Sequence, residues 1–132
     1  MKANKAEMQA LYTAVDIHRR VAVLTAMWTA FDPFGAVVYT LRVLESVAWR
    51  LREEVNDLKD SWDYADAPYH PLRKIKEGKD EYETFRNHVK GIEGAMRRLS
   101  RNPYFIRNLG KPHLKTEYKN LEYSISVVRH EL

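Results

Sequence analysis

The chain is 132 residues long, 45% hydrophobic and 30% charged, with no cysteine and a formal net charge of +4. That size and balance describe a single folded domain, residues 1–132, large enough to bury a core without covalent staples. The missing thiols exclude disulfides, thiolate catalysis and thiolate metal centres, and no apolar run is long enough to cross a bilayer.

The first helix is expected from Lys5 to Phe31. One apolar stripe reads Met8, Leu11, Val15 and Ala22 with His18 in the gap, and a second reads Ile17, Val21, Leu24, Trp28 and Phe31. Two adjoining stripes make a face wide enough for two neighbours. Asp16, His18, Arg19 and Arg20 interrupt the segment, so it is not expected to be a secretory leader, and a cytoplasmic location is expected. Asp32-Pro33-Phe34-Gly35 then breaks the pattern, with Asp32 as a candidate N-cap and Pro33 at the first helical position. So short a break folds the next helix back antiparallel.

The second helix carries Val37, Leu41, Leu44, Ala48, Leu51, Val55, Leu58 and Trp62 in alternating steps of four and three, an unbroken heptad seam. Asp63 to Leu72 (DYADAPYHPL) reads as a loop, with two prolines that cannot continue a helix. A third helix is expected from Gly78 to Ser100, its stripe being Tyr82, Phe85, Val89, Ile92, Met96 and Leu99. Gly91 and Gly94 weaken it, and small residues three apart would fit a tight helix crossing. Asn102-Pro103 is a cap-plus-proline start for a short helix, Tyr104 to Leu109, closed by Gly110. After Lys111-Pro112 a last helix carries Leu114, Tyr118, Leu121, Ile125, Val128 and Leu132. These elements predict an all-α fold, an up-down antiparallel four-helix bundle with one extra short helix.

Charge is unevenly spread: residues 1–69 carry a net −2, residues 70–119 a net +7, and the last thirteen a net −1. Between Glu93 and Glu117 lie Arg97, Arg98, Arg101, Arg107, Lys111 and Lys115 with no acidic residue among them, and Tyr104, Phe105 and His113 are interleaved. Clustered Lys and Arg bind phosphate backbones by releasing counterions, and aromatic faces can take unpaired bases. Cations also suit the C-terminal end of a helix, which Arg97, Arg98 and Arg101 occupy, and Phe105 suits the core. A second cluster, Arg73, Lys74, Lys76 and Lys79, is followed by Glu77, Asp80, Glu81 and Glu83 and reads as a solvated loop and helix start.

Arg107-Asn108-Leu109-Gly110-Lys111-Pro112-His113 resembles the signature of HEPN domains, small helical bundles with an Arg, a polar residue and then a His near the start of the last helix. The resemblance covers these seven residues, with Gly110 and Pro112 inside them. It implies a dimer that cleaves RNA without metal, His113 moving the 2′-hydroxyl proton and Arg107 steadying the phosphate. Size, basicity, bundle architecture and the Lys111-Pro112-His113 junction are also similar to the basic four-helix accessory proteins of diversity-generating retroelements. That likeness implies an oligomer that binds a reverse transcriptase and nucleic acid.

No metal site is expected, because no two histidines stand three or four apart and no Glu-x-x-His pair occurs. His18 reads as a partly buried, hydrogen-bonded residue, and Glu53 and Glu54 as surface charges. No phosphate loop or dinucleotide fingerprint is present, and no cofactor is expected. Trp28 and Trp62 fall on core stripes. Trp49, with Val38, Tyr39 and Val43, suggests a second apolar face on the second helix, suited to a homo-oligomer or other protein interface. The expected function is non-enzymatic binding of nucleic acid, or of a nucleic-acid-handling protein, through the six cations from Arg97 to Lys115. The alternatives are a HEPN-like metal-independent ribonuclease using Arg107 and His113, and a phage or mobile-element adaptor or inhibitor acting by protein–protein contact.

Overall fold

The protein is described here by a computed structural model, which covers residues 5–30, 32, 34–64 and 79–130, with side chains for 9–30, 32, 34–57, 83–111 and 113–130. Among the described residues five α-helices follow one another: α1 Lys5–Thr29, α2 Ala36–Tyr64, α3 Lys79–Arg101, α4 Pro103–Asn108 and α5 Pro112–His130. There is no strand among the described residues. The first helix packs against α2 and α5, α2 packs against α3, and α4 lies against the end of α3.

One heptad row of α1 goes inward: Ala10, Ala14, Ile17, Val21, Leu24 and Trp28 are all buried, with Leu11 beside them. The expected first stripe goes inward only in part: Leu11 is buried and Val15 packs against the core, but Val15, His18 and Ala22 are only half-buried, because that flank runs along the outer seam with α2. Tyr12, Asp16, Arg19 and Arg52 line this seam with them. His18 makes no hydrogen bond with another described residue, contrary to expectation. Met8 and Phe31 lie outside the described side chains.

The turn corrects a second expectation. Asp32 N–H still donates to the Trp28 carbonyl at 2.9 Å, so Asp32 ends α1 rather than opening α2. The next helix begins at Ala36, where the Gly35 carbonyl accepts from Tyr39 N–H at 3.2 Å. From there the seam is as expected through Val55, every position buried. No glycine or proline occurs between Gly35 and Pro68, and α2 therefore runs on through Asp63 and Tyr64. The rest of the expected loop, the cations Arg73, Lys74 and Lys76, and the side chains of Leu58, Trp62, Tyr82 and Leu132 lie outside the described residues.

On α3, Phe85, Val89, Ile92, Met96 and Leu99 are buried, and Ala95 joins them. Gly91 and Gly94 do not mark a tight crossing. A Cβ on Gly91 would meet Val47 of α2 at an ordinary 3.4 Å, and one on Gly94 would meet only Arg97 of its own helix at 3.7 Å. The α2–α3 contact is read from Val47 beside Gly91 and Glu54 beside His88, so residue numbers rise on one helix as they fall on the other. Glu54 Oε1 stands 3.2 Å from His88 Nδ1, both side chains largely covered. Glu54 is thus a partner inside a helix interface, not the surface charge its sequence suggests.

The short helix α4 is anchored in two ways. Asn102 Oδ1 accepts from the Tyr104 and Phe105 N–H groups at 2.9 and 3.1 Å, and Pro103 opens the helix, the expected cap with its proline. Phe105 is fully buried. Its ring stacks on Trp28 of α1 at 5.1 Å and meets Tyr118 of α5 edge-on at 5.1 Å. Burying one phenylalanine contributes roughly 2–3 kcal/mol, and here it ties α4 to the two long helices that flank it. The helix closes with Leu109 N–H on the Phe105 carbonyl and Lys111 N–H on the Asn108 carbonyl, without a left-handed residue at Gly110.

Candidate nucleic-acid interface

The last turns of α3 carry Arg97, Arg98 and Arg101, all exposed. They occupy the side of the helix away from Phe85, Val89, Ile92, Met96 and Leu99, because an amphipathic helix that buries one stripe turns the opposite positions to water. Arg107 is on α4, Lys111 is in the turn after it, and Lys115 is on the first turns of α5; all three are exposed. Among the described residues, no carboxylate lies within 4.0 Å of Arg97, Arg98, Arg101, Arg107 or Lys115. Ion pairs among the described residues lie elsewhere, among them Arg19 and Arg20 with Asp16, Lys119 with Glu122, and Arg129 with Glu93.

Two further cations share the outer side of α3 and were missed in the sequence. Arg86 and Lys90 are exposed and stand four residues apart; with Arg97 and Arg101, eleven and fifteen residues after Arg86, they form a row about 22 Å long. Helical spacing is the signal that finds them. They escape a search for runs of charge because Glu83, Glu93 and the neutral residues between them break the run.

A groove of about 490 Å³ opens between α3 and α5, two helices that touch each other only sparsely. Met96 and Ile125 form its floor, and Arg97, Arg129, Glu93 and Glu122 stand on its sides. Two arginines and two glutamates balance, so the groove itself is not a cationic site. Burial pushes the neighbouring Tyr118 hydroxyl up to about 12, helped by the negative charge of Glu122 and a hydrogen bond to it. The phenol therefore stays neutral over the physiological range.

The Arg107–His113 pair sits across a helix break. Arg107 is in α4 and His113 is in α5, both exposed, with Leu109, Gly110 and Lys111 outside either helix. Asn108 Nδ2 donates to the Tyr104 carbonyl at 2.9 Å, so its amide serves the local fold. Among the described residues, no group of three or more His, Asp or Glu side chains could hold a metal ion, and no helix is long and apolar enough to cross a membrane.

The second apolar face of α2 needs one correction. Trp49 is 51% exposed and Tyr39 72% exposed, but Val38 is 2% exposed and belongs to the core. Val38 lies in the first turn of α2, on the flank that turns toward α1, where the two helices converge at their connecting turn. The outer positions between Tyr39 and Trp49 include Arg42 and Ser46, so the apolar face is interrupted.

No protein-family model, curated protein or solved structure matches the chain.

Proposed function

We propose that this chain is an up-down antiparallel four-helix bundle with one short extra helix, and that it is a non-enzymatic binding protein for nucleic acid or a nucleic-acid-handling assembly. Arg97, Arg98, Arg101, Arg107, Lys111 and Lys115 are the phosphate contacts in this reading. One observation carries it: five of these six cations are exposed and have no carboxylate partner among the described residues, although 18 acidic residues are present in the chain. Like charges kept together repel one another and lower stability, a cost that an anionic partner offsets. Arg86 and Lys90 extend the same side of α3. The contacts are to phosphates and therefore largely indifferent to sequence.

The test is a binding titration against labelled RNA and DNA over a range of salt. The affinity should fall steeply with salt, and changing Arg97, Arg98 and Arg101 together to Ala should flatten the log–log slope by roughly 2 for a single strand. A protein with no affinity at low salt, or a slope unchanged by the triple substitution, refutes the reading. RNA cleavage abolished by His113→Ala would instead establish the ribonuclease reading.

A second reading, protein–protein association through the outer side of α2, is favoured by the exposure of Trp49 and Tyr39. It predicts an oligomer that survives high salt and is weakened by Trp49→Ala in analytical ultracentrifugation.

A further inference from the structure

We propose that the Tyr104 ring is a stacking platform for an unpaired base, so that the ligand of this surface is a single strand rather than a duplex; this rests on the polyanion reading above.

Phe105 already supplies the packing that fixes α4, being fully buried against Trp28 and Tyr118. Its neighbour Tyr104 adds little to the core: it is 41% exposed and touches Trp28 edge-on, with centroids 6.0 Å apart and planes at 66°. One side of the ring is braced and another faces water. The backbone beneath it is also held. Tyr104 N–H donates to the Asn102 cap, and the Tyr104 carbonyl accepts from Asn108. A ring held in this way loses little freedom when a ligand lands on it, which is the condition for a productive stack.

The charge around the ring fits the same ligand. Arg107 is three residues on along α4, and therefore on the same side of that helix. Arg101 ends α3 three residues before the ring. A phosphate on either side of a stacked base would meet a guanidinium. A second aromatic is available at the same end of the molecule. Phe34 is 99% exposed, in the turn that begins two residues after Trp28. Bases in a duplex have their faces covered by neighbours, whereas every unpaired base offers one. A bilayer would require a longer amphipathic helix with a continuous apolar side, and α4 has six residues and turns Phe105 inward.

The experiment compares fluorescence anisotropy for four probes: labelled oligothymidine, an abasic strand of equal length, a blunt duplex, and phosphatidylserine vesicles. The oligothymidine should bind about 10-fold more tightly than the abasic strand, which carries the same charge without bases. Tyr104→Ala should bring the two within about 2-fold of each other, while Tyr104→Phe retains the difference, since stacking needs the ring and not the hydroxyl. If Tyr104→Ala does not fold, Tyr104→Leu, which keeps bulk beside Trp28 but has no flat face, makes the same comparison, and an undiminished preference for thymidine in that variant overturns the assignment to Tyr104. Equal, salt-sensitive binding of thymidine and abasic strands overturns the stacking platform and leaves the charge reading standing. Tighter binding of the duplex or the vesicles also overturns it, and no binding to any strand overturns both.

Discussion

Replacing Gly94 by alanine should raise the melting temperature by about 3–4 °C. Gly94 sits inside α3, a helix of 23 residues, where glycine is about 0.8–1.0 kcal/mol less favourable than alanine because its unfolded backbone has more freedom to lose. Its φ is not positive, so alanine adopts the same backbone. The new Cβ would meet Arg97 Nη2 at 3.7 Å and no atom of another helix within 4 Å, so nothing has to move. An unfolding entropy of about 2.1 cal/mol/K per residue gives roughly 0.28 kcal/mol/K for the whole chain, and the gain of about 1 kcal/mol becomes the stated shift. Gly91→Ala should add a similar increment, since its Cβ would rest on Val47 Cγ1 at contact distance, bringing the double variant to roughly 7 °C. Circular dichroism at the helix band during heating measures this. Neither substitution removes a cation, so nucleic-acid affinity should not change. A lowered melting temperature would refute the reasoning, because it would mean that the glycines admit a close neighbour.

Other substitutions probe the anchoring of α4 and the buried phenol. Phe105→Ala should cost about 3–5 kcal/mol in urea unfolding, since it removes the ring between Trp28 and Tyr118. Asn102→Ala should cost about 1 kcal/mol by the same assay, because two N–H groups lose their acceptor. Stability should be insensitive to Tyr118 below pH 10. Its hydroxyl ionises at 10.0 when unfolded and near 12 when folded, so the unfolded chain releases its proton first and stability falls as pH rises between those values. The loss should be on the order of 1–2 kcal/mol, less than the full two-unit value because solvent screens part of the charge, and Tyr118→Phe should abolish it.

The candidate surface was partly legible in the sequence. Arg97 through Lys115 stand out as a stretch without carboxylates. Arg86 and Lys90 do not, because only the turn of α3 brings them into line with that stretch. Phe105 is expected in the core from the sequence and is buried there against Trp28 and Tyr118. What the sequence does not tell is how far its neighbour Tyr104 stays open to water, which packing against Trp28 decides.

Helix positions and inward stripes follow from the sequence alone, because periodicity and caps act within a few turns of one helix. The seam from Val37 to Val55, the Asn102-Pro103 start and the stripe from Phe85 to Leu99 are of this kind. What lies on the flanks of each helix depends on where the neighbouring helix axes run, which no local pattern records. Tertiary packing therefore decided that Val38 is covered while Val15 and Ala22 remain at the seam, that Glu54 meets His88, and that α2 approaches Gly91 no more closely than ordinary contact.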